Sequence, residues 1–496
     1  MFVGSEALRG VDDLIGQWKP MSREMLYRID DKPPLRKAIP LGFQQYLTMF
    51  GSTVVIPILL ISALGENEDP AMMKHHLGQL IGTIFFVSGI CTLLQTTWGN
   101  RLPIVQGGTF SFFAPTFAIL GLDSLADAGF AVRMQHLQGA IIGGALVQIL
   151  LGYTGMVGRM LRFVSPVVIA PTIALIGLAL FRFGATEQGA GSNWPVGILT
   201  IVLLILFSQY LRHKHPVFAM FPILLGIAGA WGIAWVLTAA GVFPPEHAAY
   251  VSFEVVREAP WVRVPWPFQW GMPVFVPGLI VGMLAGYLAS IIESVGDYYA
   301  CARLAGAPVP DKKVINKGIG MEGVGCVVAG IFGTGNGTTS YSENIGAIGL
   351  TRVGSRYVIQ VGAVIMMVLA VFGKFGALFA SIPTPVIGGI YCVMFGMIAA
   401  VGLSNLQFVD LNSARNLFII GFALFMGISL PEYFERAAGP VTIIPGETFS
   451  FVNEILLSLC RSGMTVGAII ALVLDNTIPG TDEERGIRAW QERGEE

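Results

Sequence analysis

Polar residues dominate the first 38 positions, and from Pro40 onward the chain is a succession of long apolar runs separated by short polar ones. A helix that crosses a bilayer needs about 20 mainly apolar residues. Runs near that length fall at 40–64, 77–98, 104–121, 137–156, 162–183, 193–211 and 217–242. The second half repeats the count, at 272–297, 319–333, 343–351, 355–373, 383–403, 415–431 and 455–475. The pattern predicts an all-α polytopic membrane protein with 14 transmembrane segments. Two runs are irregular. The third opens on Gln106-Gly107-Gly108-Thr109-Phe110-Ser111, and the tenth, too short to span alone, follows the Gly/Thr-rich stretch from Gly333 to Ser342.

The irregular runs are seven spans apart, and an odd separation turns the second copy upside down relative to the first. Matching breaks in two oppositely oriented halves point to a transporter built from two inverted seven-span repeats. Lipid does not tolerate exposed irregular backbone, so both breaks must be buried in protein or line a cavity. The half-helices that follow would aim their N–H groups and partial positive charge at a shared centre. The plain alternative is a coincidence of two Gly-rich helix starts.

Composition agrees. Of 496 residues, 54% are hydrophobic and 12% charged, against about 25% charged in a soluble domain. This excludes a cytosolic enzyme and a disordered scaffold, and a net charge of -2 offers no basic field for nucleic acid. The 62 Gly and 28 Pro suit close helix packing and interrupted helices in a bilayer. Cys91, Cys301, Cys326, Cys392 and Cys460 show no metal-ligand spacing and read as small packing residues. No cleavable signal peptide is expected, and the first apolar run stays as the first span. Lys and Arg crowd the short loops of one side, among them Arg159, Arg162, Lys312, Lys313 and Lys317. That bias puts both tails, 1–39 and 477–496, in the cytoplasm. The stretch Asp482-Glu483-Glu484-Arg485 reads as a solvated tail, and Phe243 to Gln269, with Trp261 and Trp266 in it and Trp270 just after, as an outer loop joining the halves. No nucleotide-binding loop, zinc motif or nucleophile–base pair is visible, and His75-His76 is expected in an exposed loop. The chain reads as a transporter, not an enzyme, with no cofactor.

Buried carboxylates are the sharpest signal, because a charge at mid-membrane costs about 2.5–3.5 kcal/mol or more. Glu293 and Asp297 end the eighth span, four residues apart and so on one helix face, and Glu343 starts the tenth. Ionised Glu only accepts hydrogen bonds, so two of them suit a ligand that offers N–H donors. An anion would meet about 3 kcal/mol of repulsion from each at 5 Å.

Here the residues resemble a known family. Ser342-Glu343-Asn344-Ile345-Gly346 through Gly349-Leu350-Thr351-Arg352 resembles the signature of the nucleobase–ascorbate transporters, and Glu293-Ser294-Val295-Gly296-Asp297-Tyr298-Tyr299 resembles their eighth-span motif. Phe43-Gln44-Gln45-Tyr46 is similar to the first-span motif and Gln106-Gly107-Gly108-Thr109-Phe110 to the third-span strand. The likeness runs from about Leu41 to Glu484, and from Ile292 to Asn416 it is closest to the sodium-dependent animal transporters.

The resemblance implies short strands in spans 3 and 10 and a division into two bodies. A core would comprise 40–156 (spans 1–4) and 272–374 (spans 8–11), and a gate 157–242 (spans 5–7) and 375–476 (spans 12–14), with 243–271 as the extracellular connection. It implies a homodimer in the plasma membrane, bathed in lipid, that imports a small-molecule nucleobase. Glu293 and Glu343 would accept base N–H groups, Phe110 and Tyr341 flank the ring, and Ser52 and Ser342 complete the pocket. Asp297 and Gln45 would couple a cation, with Asp297 a ligand for Na+. Gln44, Asn344, Gly346 and Thr351 would hold the core together. Gln44-Gln45 replaces the family's Gln-His, and Asp297 stands where some proton-coupled members have His. The loss of both imidazoles favours sodium over proton. In the family, Glu at position 343 goes with uracil, Gln with xanthine or urate, and Pro with ascorbate. Uracil is the resulting expectation, with ascorbate or xanthine/urate as the alternative and a sulfate-permease-type anion transporter as the remote one.

Overall fold

The computed structural model describes residues 25–65, 68–157, 163–187, 189–436, 443, 453, 456, 457 and 459–488. The first 24 residues, Arg159, Arg162 and most of the run-up to the fourteenth span lie outside them. The helices are α1 (Leu35–Leu64), α2 (Pro70–Thr97), α3 (Phe113–Leu120), α4 (Phe130–Tyr153), α5 (Pro166–Leu178), α6 (Trp194–Ile205) and α7 (Pro222–Ala239). They continue with α8 (Pro277–Leu304), α9 (Lys312–Phe332), α10 (Ser342–Thr351), α11 (Arg356–Val371), α12 (Thr384–Ser404), α13 (Ala414–Arg436) and α14 (Gly463–Thr477). Strand β1 (Gln106–Gly108) precedes α3, and β2 (Thr338–Ser340) precedes α10.

Among the described residues, nine helices are long and apolar enough to cross a membrane, and the regions 110–120, 166–178, 356–371 and 463–477 form shorter apolar helices. The chain is a multi-pass, mostly helical membrane protein. Helix starts are marked in sequence: Asp69, Asn193, Asp311, Ser355 and Ser462 each accept an N–H of the first turn, which satisfies a donor the helix itself leaves free. His75 and His76 fall inside α2 and not in a loop, and the His76 ring stacks on Phe130 at 4.3 Å.

The helices pack in two groups. In the first, α4 lies along α9, α2 and α1 along α11, and α8 against α3, α4 and α10. In the second, α5 packs on α12 and α14, α6 on α7 and α12, and α13 on α14. Glycine sets the closest approaches. A Cβ on Gly152 of α4 would fall 2.3 Å from the Gly320 nitrogen of α9, and one on Gly177 of α5 would fall 2.3 Å from the Phe395 carbonyl oxygen of α12. Close backbone contact of this kind is how helices associate where solvent supplies no hydrophobic drive.

Trp261 and Trp266 are exposed, but Trp270 is 8% exposed and donates its indole N–H to the Gly333 carbonyl at 2.9 Å. The acidic stretch after α14 is solvated only in part: Asp482 and Glu483 are exposed, but Glu484 and Arg485 are half-buried. Arg485 pairs with the fully buried carboxylate of Asp475 at 2.8 Å, and Arg415 pairs with it at 3.0 Å. The Glu484 carbonyl takes the Asn416 side-chain N–H at 2.7 Å. The reason is local: Asp475 is buried at the end of α14, and two guanidinium groups close over it. At the other end of the chain, residues 25–31 dock on the segment after α10: Leu26 N–H donates to the Arg352 carbonyl at 2.9 Å and Gly354 N–H to the Tyr27 carbonyl at 2.8 Å.

Candidate functional site

The Gly-rich breaks meet. β1 and β2 pair antiparallel, with Gln106 opposite Ser340, Gly107 opposite Thr339 and Gly108 opposite Thr338. β2 leads through Tyr341 into α10, and β1 through a 3-10 turn at Phe110–Phe112 into α3, so antiparallel pairing sends α3 and α10 away from one another. Gly107 is required by a close approach, since a Cβ there would lie 2.1 Å from the Tyr341 ring. Thr109 starts the turn into α3, donating its N–H to the Asn336 side chain at 2.9 Å and accepting the Ser111 N–H at 3.1 Å.

Around this pair stand four carboxyl groups. Glu293 on α8 accepts from Ser111 Oγ at 3.1 Å and Thr109 Oγ1 at 3.4 Å. Glu343, in the first turn of α10, accepts from Ser52 Oγ of α1 at 2.7 Å and is exposed. Asp297 accepts from Ser342 Oγ at 2.7 Å, and its second oxygen is buried with no partner among the described residues.

Glu322 on α9 is the group that reading the sequence missed. It is 2% exposed, and its Oε1 accepts from Ser340 Oγ at 2.7 Å, Ser294 Oγ and Tyr298 Oη at 2.8 Å, and Gln106 Nε2 at 3.3 Å. One carboxylate oxygen thereby ties α8, α9, β1 and β2. The available signal was a single acid three residues into the apolar run that starts at Ile319.

The other expected residues separate. Phe110 is half-buried and meets Phe395 of α12 edge-on at 6.0 Å, where the two helix groups touch. Tyr341 is 5% exposed, with its hydroxyl 2.7 Å from the Gly108 carbonyl and 2.9 Å from Thr53 Oγ1, so its ring lies behind the strand pair. Asn344 donates to both the carbonyl and the side-chain oxygen of Gln45 at 2.8 Å, which joins α10 to α1 and occupies the Gln45 carboxamide oxygen. Gln44 reaches the Met220 thioether of the second group at 2.9 Å. Thr351 Oγ1 donates back to the Ala347 carbonyl at 2.8 Å in the last turn of α10. Gly296 and Gly346, three residues beyond Glu293 and Glu343, are exposed and face open space.

A buried strand pair between two opposed half-helices, ringed by carboxyls inside an apolar bundle, is the build of a membrane permease. The sequence matches the Permease family (Xan_ur_permease) over residues 36–436, and the chain belongs to that family. It is 46% identical to solute carrier family 23 member 2 of Mus musculus, over 97% of this chain and 78% of that protein. It is 44% identical to solute carrier family 23 member 1 of Rattus norvegicus (94% and 83%) and 39% identical to nucleobase-ascorbate transporter 1 of Arabidopsis thaliana (94% and 92%). Its relatives are transporters, and it is a transporter and not an enzyme. Its fold is similar to the transmembrane domain of the cyanobacterial bicarbonate transporter BicA, with a TM-score of 0.53 at 16% identity, covering 79% of this chain and 97% of that one. It is also similar to SLC26A9, with a TM-score of 0.57 at 14% identity, covering 85% and 66%.

Proposed function

We propose that this permease is a secondary active importer of a neutral nucleobase, uracil first, driven by cation symport with Na+ favoured over H+. The observation that carries this is the pair Glu293 and Glu343, each held by hydroxyl donors beside the paired strands. Two acceptor-only groups read a ring edge with N–H donors and repel an anion. The second oxygen of Asp297, buried with no partner among the described residues, is a hard ligand of the kind small cations prefer. The first helix group would be the core and the second the gate, as 14 segments in two inverted repeats, with the core moving against the gate. The exposed apolar faces of α6, α7 and α13 would face lipid and a second copy in a homodimer, in the plasma membrane with both termini cytoplasmic.

Ascorbate is the second reading, favoured by the name of the plant relative and opposed by the charge of the two glutamates. Uptake of labelled uracil, xanthine and ascorbate into proteoliposomes under imposed Na+ or H+ gradients tests both. Uracil uptake that rises with inward Na+ and resists excess ascorbate is expected; ascorbate uptake without uracil uptake would replace the first reading by the second.

A further inference from the structure

A short 3-10 turn at Phe110–Phe112 leads into half-helix α3, which runs opposite to α10 and so away from the segment on which residues 25–31 dock. The C-cap of α3, Gly121, accepts a hydrogen bond through its carbonyl from the guanidinium of Arg461. Arg461 stands two residues before α14, so this bond crosses from the first helix group to the second. A cation at a helix C-terminus meets the negative end of the dipole and a carbonyl with no intrahelical partner, and a charge-assisted bond is stronger than a neutral one. Beneath it, between the two groups, lies a cavity of about 260 Å³ lined by Ala114 and Phe117 of α3, Phe183, and Gly427 and Ile428 of α13, with Arg461 itself in the lining. Phe117 stacks on Phe183 at 4.9 Å across the same boundary. Nearer the opposite face, the Gln44–Met220 contact crosses between the groups, and there Gly296 and Gly346 are open.

We propose that Arg461 is a latch. Its bond to the end of α3 holds the core against the gate on the face opposite residues 25–31, and it must break whenever that face opens. Arg461 is thus a positioning residue: it touches no solute and sets the balance between the two access states. This rests on the transporter reading above and adds the element that biases it. A ligand or mutation moves a two-state balance by its differential effect on the two states, and the Arg461 bond exists in one of them.

The test replaces Ala114 with Cys in the full chain carrying Cys392→Ser and Cys460→Ser. A membrane-impermeant maleimide is applied from the face opposite residues 25–31, to proteoliposomes of known orientation. Arg461→Ala is expected to speed labelling at position 114 by about threefold or more, with Arg461→Lys between it and the parent. For solute presented on the same face, the KM should fall together with kcat, whereas loss of a binding group raises KM. Equal labelling rates with and without Arg461 overturn the latch. Should Arg461→Ala not fold, Arg461→Lys alone decides by the same comparison. If the parent carries none of the tested solutes, the transporter reading fails while the labelling comparison still judges the latch.

Discussion

Ser342 and Asp297 are joined across the site by a 2.7 Å hydrogen bond, which ties the first residue of α10 to the face of α8 that carries Glu293. The next residue along α10, Glu343, is held from the other side by Ser52 of α1. Two consecutive residues thus fasten the half-helix to two different helices, so the position of the Glu343 carboxylate depends on both.

The bond leaves one Asp297 oxygen buried with no partner among the described residues, which is where a cation would gain most from a full negative charge. Asp297→Asn keeps the size and removes the charge. Na+-stimulated uptake should fall to the level seen without a gradient. Ser342→Ala, which frees the carboxylate without neutralising it, should raise the Na+ concentration for half-maximal uptake by about tenfold or more, the equivalent of one hydrogen bond to a charged group. Uptake that keeps its Na+ response in Asp297→Asn would remove Asp297 from coupling.

Glu343→Gln tests recognition. The amide keeps one acceptor and adds two donors, so a ring edge with two N–H groups loses part of its match while an edge with mixed donors and acceptors gains. Uracil uptake should drop by about tenfold or more, as expected when a polar recognition group is mismatched, and competition by xanthine should strengthen. Unchanged uptake of both bases would show that Glu343 does not read the solute.

Glu322 should matter for stability before it matters for transport. Glu322→Ala removes the acceptor of Ser294, Tyr298, Ser340 and Gln106. Ser294 keeps Thr339 and Gln106 keeps Ser340 as partners, but the Tyr298 and Ser340 hydroxyls lose theirs, and each unsatisfied buried donor costs about 1–3 kcal/mol. The variant should lose most of its thermal stability in detergent, measured by fluorescence-detected size-exclusion after heating. Glu322→Gln keeps an acceptor for the hydroxyls and should retain the larger part. Equal melting of all three proteins would contradict the network.

Much of this architecture is legible in the residue pattern, because apolar runs near twenty residues long have few fates other than buried or lipid-facing helices. The breaks at Gln106–Ser111 and Gly333–Ser342 announced buried irregular backbone for the same reason, since lipid does not permit it exposed, while the two strands themselves were expected only from the family resemblance. Their pairing register was not legible, since Gln106 and Ser340 are 234 residues apart and no local spacing encodes the match. Glu322 escaped because a lone acid near the start of an apolar run looks like a helix terminus, and its four donors come from α8, β1 and β2. The Tyr341 hydroxyl contacts to Gly108 and Thr53 were equally hidden, because their partners lie far away along the chain. The tail misled in part: Asp482 to Arg485 reads as solvated charge, and only the buried Asp475 nearby gives Arg485 a reason to fold back.

That fold-back yields the last prediction. Asp475 is fully buried between Arg415 and Arg485 and also accepts Ser165 Oγ at 2.7 Å, so one carboxylate joins α5, α13, α14 and the segment after it. Removing one partner of a buried ion pair is strongly destabilising, by about 3–5 kcal/mol, because the remaining charge stays buried. Asp475→Asn leaves two guanidinium groups without a counter-charge and should both lower the melting temperature and expose residues 481–488 to protease. Arg485→Gln removes only the outer partner. Arg415 still neutralises Asp475, so this variant should release the segment to protease with a much smaller loss of thermal stability. Limited proteolysis with mass spectrometry of the released peptide, alongside thermal unfolding, separates the two. If the segment is cleaved as fast in the parent as in Arg485→Gln, the ion pair does not hold it.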